Sequence, residues 1–371
     1  MAGPLEGIRV IELARILAGP WAGQTLADMG AEVIKVESPQ GDDTRRWGPP
    51  FVTRPDGTSD AAYFHATNRN KASVTADFST AEGQNKLRGL IETADILIEN
   101  FKVGGLAKYG LDYAQAARLN PRLIYCSITG FGQTGPYAHR AGYDYIIQGM
   151  SGLMSVTGPA DGAPHKVGVA VTDIVTGIYA SSAILAALHE RARTGLGQHI
   201  DMALMDCAVA LMANQAMNYL ATGDAPSRLG NFHPNLAPYQ TVPCLDGHII
   251  IATGNDAQYR RLCAVLGLDG LAEHAEFASN ADRVARQAEL SAEISARTRY
   301  WSCADLLRAC EEQGVPAGPI NDMQAVFADP QVQSRGLELD MDGIKGVRGP
   351  CRFSRHPASS SRPAPVLGQD D

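Results

Sequence analysis

The sequence has no apolar run approaching the ~18 residues that a membrane-crossing helix requires. Its N-terminus, MAGPLEGIRVIEL, lacks a basic stretch followed by a long apolar one. Neither a membrane span nor secretion is therefore expected, and a cytoplasmic setting is. Charge is scarce at 19%, and it leans acidic, with 32 Lys and Arg against 40 Asp and Glu and a formal net charge of −8. Such a field repels nucleic acid and anionic lipid, so neither is an expected partner, and an anionic ligand would need a local group of cations. No CxxC pair occurs among the seven cysteines, at 126, 207, 244, 263, 303, 310 and 351, and their number is odd. A disulfide framework is not expected; the thiols read as reduced and mostly buried. The nine histidines are scattered without HExxH spacing, so no metal centre is expected either.

What is present is ordinary globular material, 371 residues with 45% hydrophobic content, enough for two domains. IRVIEL (8 to 13) reads as a short strand, WAGQTLADMG (21 to 30) as a helix ending on Gly30, and AEVIKVE (31 to 37) as a second strand. The alternation continues with a helix over 81 to 93, the strand ADILIEN (94 to 100), the helix YAQAARLN (113 to 120) and LIYCSITGFG (123 to 132). These βα repeats predict an α/β fold with a doubly wound parallel sheet. A dinucleotide role with Glu37 on a ribose is disfavoured, because the first turn reads LARILAGP, one glycine before proline where GxGxxG requires three. Residues 1–222 are expected to form this large domain. The Gly-, Pro- and Asn-rich stretch 223 to 240 opens a smaller α+β domain over 223–334, with a strand at 247 to 254 and a helix at 303 to 314. Residues 335–371 are expected to return to the large domain, the last eighteen extended along its surface.

One carboxylate stands out. GVAVTDIVTG (168 to 177) places Asp173 among small and apolar residues, at the start of a long apolar helix over 174 to 192. As an N-cap, an Asp there is worth about 1 kcal/mol and needs no function. The same position favours an ionised carboxylate through the helix dipole, and an ionised Asp can attack an activated acyl group directly. Position alone leaves both readings open.

Longer motifs bear on the choice. RVIELARILAGPWAGQTLADMGAEVIKVE, NRNKASV (68 to 74), ADILIENFKVGGLAKYGL (94 to 111), GFGQTGPYAHRAGYDYIIQGMSGLMSVTG (130 to 158), TGLGQHIDMALMD (194 to 206) and GVPAGPINDMQAVFADPQV (314 to 332) occur in this order. Together, over about residues 5 to 368, they resemble the class III CoA-transferases, the group of formyl-CoA and carnitine CoA-transferases. The resemblance implies a Rossmann-like large domain, a smaller domain and an interlocked homodimer. It implies acyl-CoA and a small carboxylic acid as substrates, possession of no permanently bound cofactor, and Asp173 as nucleophile. It also implies that Leu17 and Ala18 approach CoA at the first βα turn and that Asn100 and Phe101 meet its nucleotide end. Lys108 would meet phosphate, and Tyr143 and Asp144 would flank the thioester. Arg45, Arg46 and Lys71 could add phosphate charge, and His233 and Tyr239 could reach the acyl group. The Pro-containing 223 to 240 segment stands where formyl-CoA transferases carry a glycine-rich loop, which argues against formate or oxalate. Relatives in that group usually continue past the LGQ motif into a terminal helix, whereas this sequence ends at Asp371.

Two other functions compete with transfer. An α-methylacyl-CoA racemase of the same fold must remove the α proton, and racemases place His where this chain has Tyr143; a phenol near pKa 10 is a poor base at neutral pH. A non-catalytic CoA-binding protein would not require Asp173 at all. A dicarboxylate acceptor is the preferred acid.

Overall fold

The computed structural model describes residues 3–356 and 361–371, so 357–360 of the expected extended tail lie outside the described residues. The chain divides into two compact units. One comprises Met1–Leu153, Lys166–Ala213 and Pro330–Asp371, the other Met154–His165 and Asn214–Asp329.

In the first unit the order is β1 (Arg9–Glu12), α1 (Ala18–Asp28), β2 (Glu32–Glu37), a hairpin of β3 (Phe51–Thr53) and β4 (Ser59–Ala61), α2 (Ala62–His65) and β5 (Lys71–Thr75). Then follow α3 (Ala81–Thr93), β6 (Ile96–Glu99), α4 (Tyr113–Leu119), β7 (Ile124–Thr129), α5 (Asp144–Met150), α6 (Val171–Thr194), β8 (His199–Ala203) and α7 (Leu204–Leu211). Six strands form one sheet in the order β5-β2-β1-β6-β7-β8, every neighbour parallel. From β1 the chain winds outward through β2 to β5, then crosses back to β6 on the other side of β1. The carboxyl ends of β1 and β6 therefore flank the point where strand order reverses, the place where open α/β sheets hold ligands.

Both sheet faces are covered, which is why these strands read as nearly continuous apolar runs. Val10, Ile96, Ile98, Ile124 and Cys126 pack with Ala22 and Leu26 of α1 and Ile184 of α6. Ile11, Leu97 and Tyr125, pointing the other way, pack with Leu87 and Ile91 of α3. Helix α1 begins at Ala18, three residues before the sequence pattern placed it. Pro20 lies in its first turn, where a missing N–H forfeits no intrahelical bond.

Helix α6 corrects another expectation. By length and hydropathy it could cross a membrane, a run the sequence was read not to contain. In the fold one face of it packs into the core, with Thr176, Gly177, Ala180, Ser181 and Ile184 buried, while Ile178 and Tyr179 on the other face are exposed.

After the described part of the tail resumes at Ser361, it runs beside the outer edge of β5. Ser73 N–H donates to the Asp370 carboxylate, Asp370 N–H to the Ser73 carbonyl, and Thr75 N–H to the Asp371 carboxylate.

The second unit holds a three-stranded antiparallel sheet, β11-β10-β9, of β9 (Tyr239–Pro243), β10 (His248–Ala252) and β11 (Ala317–Pro319). Val242, Ile249 and Ile251 pack with Tyr259, Leu262, Leu290 and Leu306 from its helices. Residues 154–165, which the sequence reading kept in the large domain, belong to this unit. Gly230 N–H bonds the Gly158 carbonyl and Arg228 donates to the carbonyls of Pro159 and Gly162.

Candidate active site

The turn leaving β1 passes over the reversal point. Ile16 there has φ 72°, a left-handed conformation that is a genuine outlier for a β-branched residue. Its N–H faces the Asp42 carboxylate at 3.3 Å. Next to it, Arg15 N–H donates to Asn100 Oδ1 at 2.9 Å, and Asn100 Nδ2 donates back to the Arg15 carbonyl at 2.7 Å. Two turns, one after β1 and one after β6, are thus sewn together by one amide side chain. Leu17 and Ala18 are buried at the start of α1, and no side chain caps that helix.

Phe101 donates its N–H to Glu99, and burial pushes the Glu99 carboxyl up to about 7. The Phe101 ring meets Phe78 edge-on at 5.5 Å, Phe78 meets Tyr109 at 5.2 Å, and the Lys108 ammonium lies 4.6 Å from the Tyr109 ring. An aromatic row therefore connects Phe101 to Lys108. Among the described residues the exposed Lys108 has no carboxylate partner.

Helix α6 crosses α1 close to this turn. A methyl group added at Gly177 would stand 2.7 Å from the Ala18 carbonyl and 3.0 Å from Trp21, so only glycine permits the approach. Asp173 is one helical turn earlier on the same face, which directs it toward the start of α1. It lies within the first turn, not at the cap: the N-cap is Ala170, and the acceptor for the helix end is Asp144. The Asp144 carboxylate accepts from Thr172 N–H at 2.9 Å, Thr172 Oγ1 at 2.7 Å and Gln148 Nε2 at 2.7 Å. The capping reading of Asp173 is therefore overturned. Half-buried, its carboxylate has no hydrogen-bond or ion-pair partner among the described residues.

The expectation that the dipole keeps Asp173 ionised is corrected too. Burial pushes its carboxyl up to about 7, with the charge of Asp144 adding to the effect. A helix end is worth only ~0.3–1 kcal/mol at an exposed site, less than such desolvation. Tyr143 is 60% exposed at the start of α5, immediately before Asp144. Tyr63 was not singled out by sequence. Burial first, then the charges of Asp173, Asp144 and Asp42, push its phenol up to about 12, so it remains a neutral donor within the field of the unpaired acid.

The structure brings Leu17, Ala18, Asn100, Phe101, Tyr143, Asp144 and Asp173 to one end of the sheet. Two proposed phosphate cations are not available. Lys71 is buried against Glu12 at 2.8 Å, and Arg45 is buried against Glu37 at 2.6 Å and Asp60 at 3.1 Å. Arg46 is exposed but holds the Gln40 carbonyl and Asp43. Arg15, half-exposed with its guanidinium 5.8 Å from the Phe101 ring, is a cation that sequence reading passed over. His233 and Tyr239 belong to the second unit, where their rings lie 5.1 Å apart.

Comparison with known proteins gives the family of the chain. The family model for CoA-transferase family III matches residues 5–371. A succinate–glutarate CoA-transferase of Agrobacterium fabrum is 60% identical over 373 residues, spanning 99% of this chain and 93% of that protein. The succinyl-CoA:glutarate CoA-transferase of Mus musculus is 43% identical over 372 residues, spanning 99% and 84%. A crystal structure of a CaiB/BaiF family protein from Brucella suis is similar with a TM-score of 0.90 and 57% identity, covering 100% of this chain and 97% of that one. Both curated relatives transfer CoA, which favours transfer over the racemase and binding-protein readings. The chain is a CoA-transferase and belongs to CoA-transferase family III.

Proposed function

We propose that this enzyme moves CoA from a succinyl-type dicarboxylyl-CoA to a free dicarboxylic acid of the glutarate class, with Asp173 as covalent nucleophile. The observation that carries the nucleophile is the unpartnered, half-buried carboxylate at the crossing of α1 and α6. The acid class is supported by the names of the relatives. A carboxylate oxygen of Asp173 attacks the thioester carbonyl, the C–S bond breaks, and CoA leaves as thiolate, which leaves a mixed anhydride between Asp173 and the donor acyl group. The thiolate then attacks the aspartyl carbonyl and expels the donor acid, giving an aspartyl-CoA thioester. The acceptor carboxylate attacks that thioester and releases CoA thiolate, forming a second mixed anhydride, and the thiolate then attacks the acceptor's acyl carbon, breaks its C–O bond to Asp173 and frees the Asp173 carboxylate. One thioester replaces another, so the exchange is close to thermoneutral and no net proton is consumed. Both anhydrides hydrolyse readily, so water must be kept from them when acyl-CoA is bound, and the exposed Gly168 and Val169 with the half-buried Ala170 and Val171 are small enough to leave room for a slim pantetheine arm.

In this reading Leu17 and Ala18 line the pantetheine path, Asn100 and Phe101 meet the nucleotide, and Lys108 meets phosphate. Tyr143 and Asp144 flank the thioester, and Tyr63 donates toward its carbonyl oxygen. The enzyme acts as a homodimer. Exposed Tyr143 just before α5 and Tyr145 and Ile146 on it, with Ile178 and Tyr179 on α6, supply apolar surface for a second copy to cover. The test is a panel of acyl-CoA donors and free acids read by product mass, with hydroxylamine trapping. Glutarate should enter the CoA pool from succinyl-CoA, and Asp173 should be modified only when acyl-CoA is present. Transfer surviving in Asp173→Ala would sink the assignment.

A further inference from the structure

Beneath α1 the sheet carries ionisable groups where apolar ones would serve for packing. Glu12 of β1 stands in register with Lys35 of β2, and Lys35 with Ser73 of β5. Lys71, two residues before Ser73, points to the same face. Glu12 and Lys35 are 0% exposed and Lys71 is 2% exposed. A methyl group at Gly23 of α1 would stand 1.8 Å from the Glu12 carboxylate, so the helix rests directly on this acid.

The cations of the cluster are spent on backbone as well as on carboxylates. Lys35 Nζ donates to the Ala14 carbonyl at 2.9 Å and pairs with Asp42 at 3.0 Å and Glu12 at 3.3 Å. Lys71 Nζ donates to the Pro20 carbonyl at 2.9 Å and to Asn68 Oδ1 at 2.9 Å, besides its pair with Glu12. Asp42 takes the N–H of Ile16, the residue held at φ 72°. Residues 14, 16 and 20 are thus gripped on either side of Leu17 and Ala18.

Buried ion clusters are seldom more stabilising than apolar packing of equal volume, so stability alone does not account for this one. A left-handed β-branched residue also persists only where its surroundings over-determine it. We infer that Glu12, Lys35, Asp42 and Lys71 are positioning residues that hold the 14–20 turn in the shape that receives CoA. The inference rests on the proposed placement of CoA along Leu17 and Ala18. Burial lowers the Lys71 ammonium to about 8, and the Glu12 carboxylate only partly offsets that fall, so the charge on Lys71 rests on its contacts with this cluster.

Glu12→Gln/Lys71→Met removes one charge of each sign, and Asp42→Asn is the milder second variant, used should the first fail to fold. Three quantities are read: the thermal midpoint, hydrogen exchange of the 14–20 amides with and without CoA, and the CoA dissociation constant by calorimetry. The clamp predicts a folded variant in which the 14–20 amides exchange faster and CoA binds about tenfold or more weakly. At saturating acyl-CoA its kcat should fall less than threefold. A purely structural role would lower the midpoint and leave CoA affinity within twofold in the folded fraction, and that result would overturn the inference. If CoA fails to slow exchange of 14–20 in the unaltered enzyme, the CoA placement itself falls and takes the clamp with it. The two failures are therefore read from different measurements.

Discussion

Raised above the ordinary carboxylate value, Asp173 holds its proton more tightly in the folded chain than in the unfolded one. Its charge therefore lowers stability as pH rises from about 4, and the full cost is present above about 7. Asp173→Asn should melt higher than the unaltered enzyme at pH 8, by the equivalent of about 2 kcal/mol, with the gain gone below pH 4. Identical melting curves at every pH would show that the acid is not desolvated. The same titration should govern catalysis: kcat/KM for acyl-CoA is expected to climb tenfold per pH unit below about 7 and then level, as the nucleophile ionises. Asp173 was legible in sequence because a lone acid among Gly, Ala and Val is conspicuous. Its raised pKa was not legible, because that comes first from burial against α1 and then from the charge of Asp144, 29 positions away, and both arise only in the fold. Tyr63 left no mark at all, since AAYFHATN gives no hint that the fold buries its phenol and exposes it to the charges of three carboxylates.

Helix α6 approaches α1 through Gly177, and that crossing sets where the first turn of α6 delivers Asp173. Gly177→Val should push the helices apart, lower stability by about 1–3 kcal/mol, and reduce transfer more than that loss accounts for. Calorimetric melting alongside saturating kcat would separate the two effects. On the other side of the reversal point, Lys108 carries an unpaired charge at the end of an aromatic row. Lys108→Ala should weaken CoA binding, more at low salt than at high salt. Unchanged affinity would direct attention to Arg15 and Arg46, because Arg45 and Lys71 are committed to buried pairs. The central strands β1, β2, β6 and β7 and helices α1, α3, α4 and α6 were readable to within a few residues, since both-sided burial leaves uninterrupted apolar runs, whereas the β3–β4 hairpin, α2, β5, α5, β8 and α7 were not read as elements. The meaning of its internal charges was not. Lys71 in NRNKASV and Arg45 in a polar loop look solvated in one dimension, and only pairing across the sheet shows them buried.

At the scale of the whole chain, each unit is assembled from separated segments. The first closes only when residues beyond 330 return to it. The excursion of 154–165 into the second unit could not be read from composition, because its anchors are backbone carbonyls. The returning tail does two things. It pairs with the edge of β5, and it offers the carbonyls of Ala364 and Pro365 to the buried guanidiniums of Arg54 and Arg45. Removal of 361–371 should lower stability by about 2–4 kcal/mol, as two buried donors lose acceptors. It should also make the protein prone to associate, as an open strand edge is a template for pairing. Light scattering and melting of the shortened chain would check both. During synthesis the same geometry imposes a wait. Thr75 and the Asp371 that caps it are 296 positions apart. At about 5–20 residues per second, β5 leaves the ribosome roughly 15–60 s before its cover does. For that interval the nascent sheet is a sticky half-product, so yield in a cell should respond to chaperone supply and translation speed far more than the finished enzyme's stability would suggest.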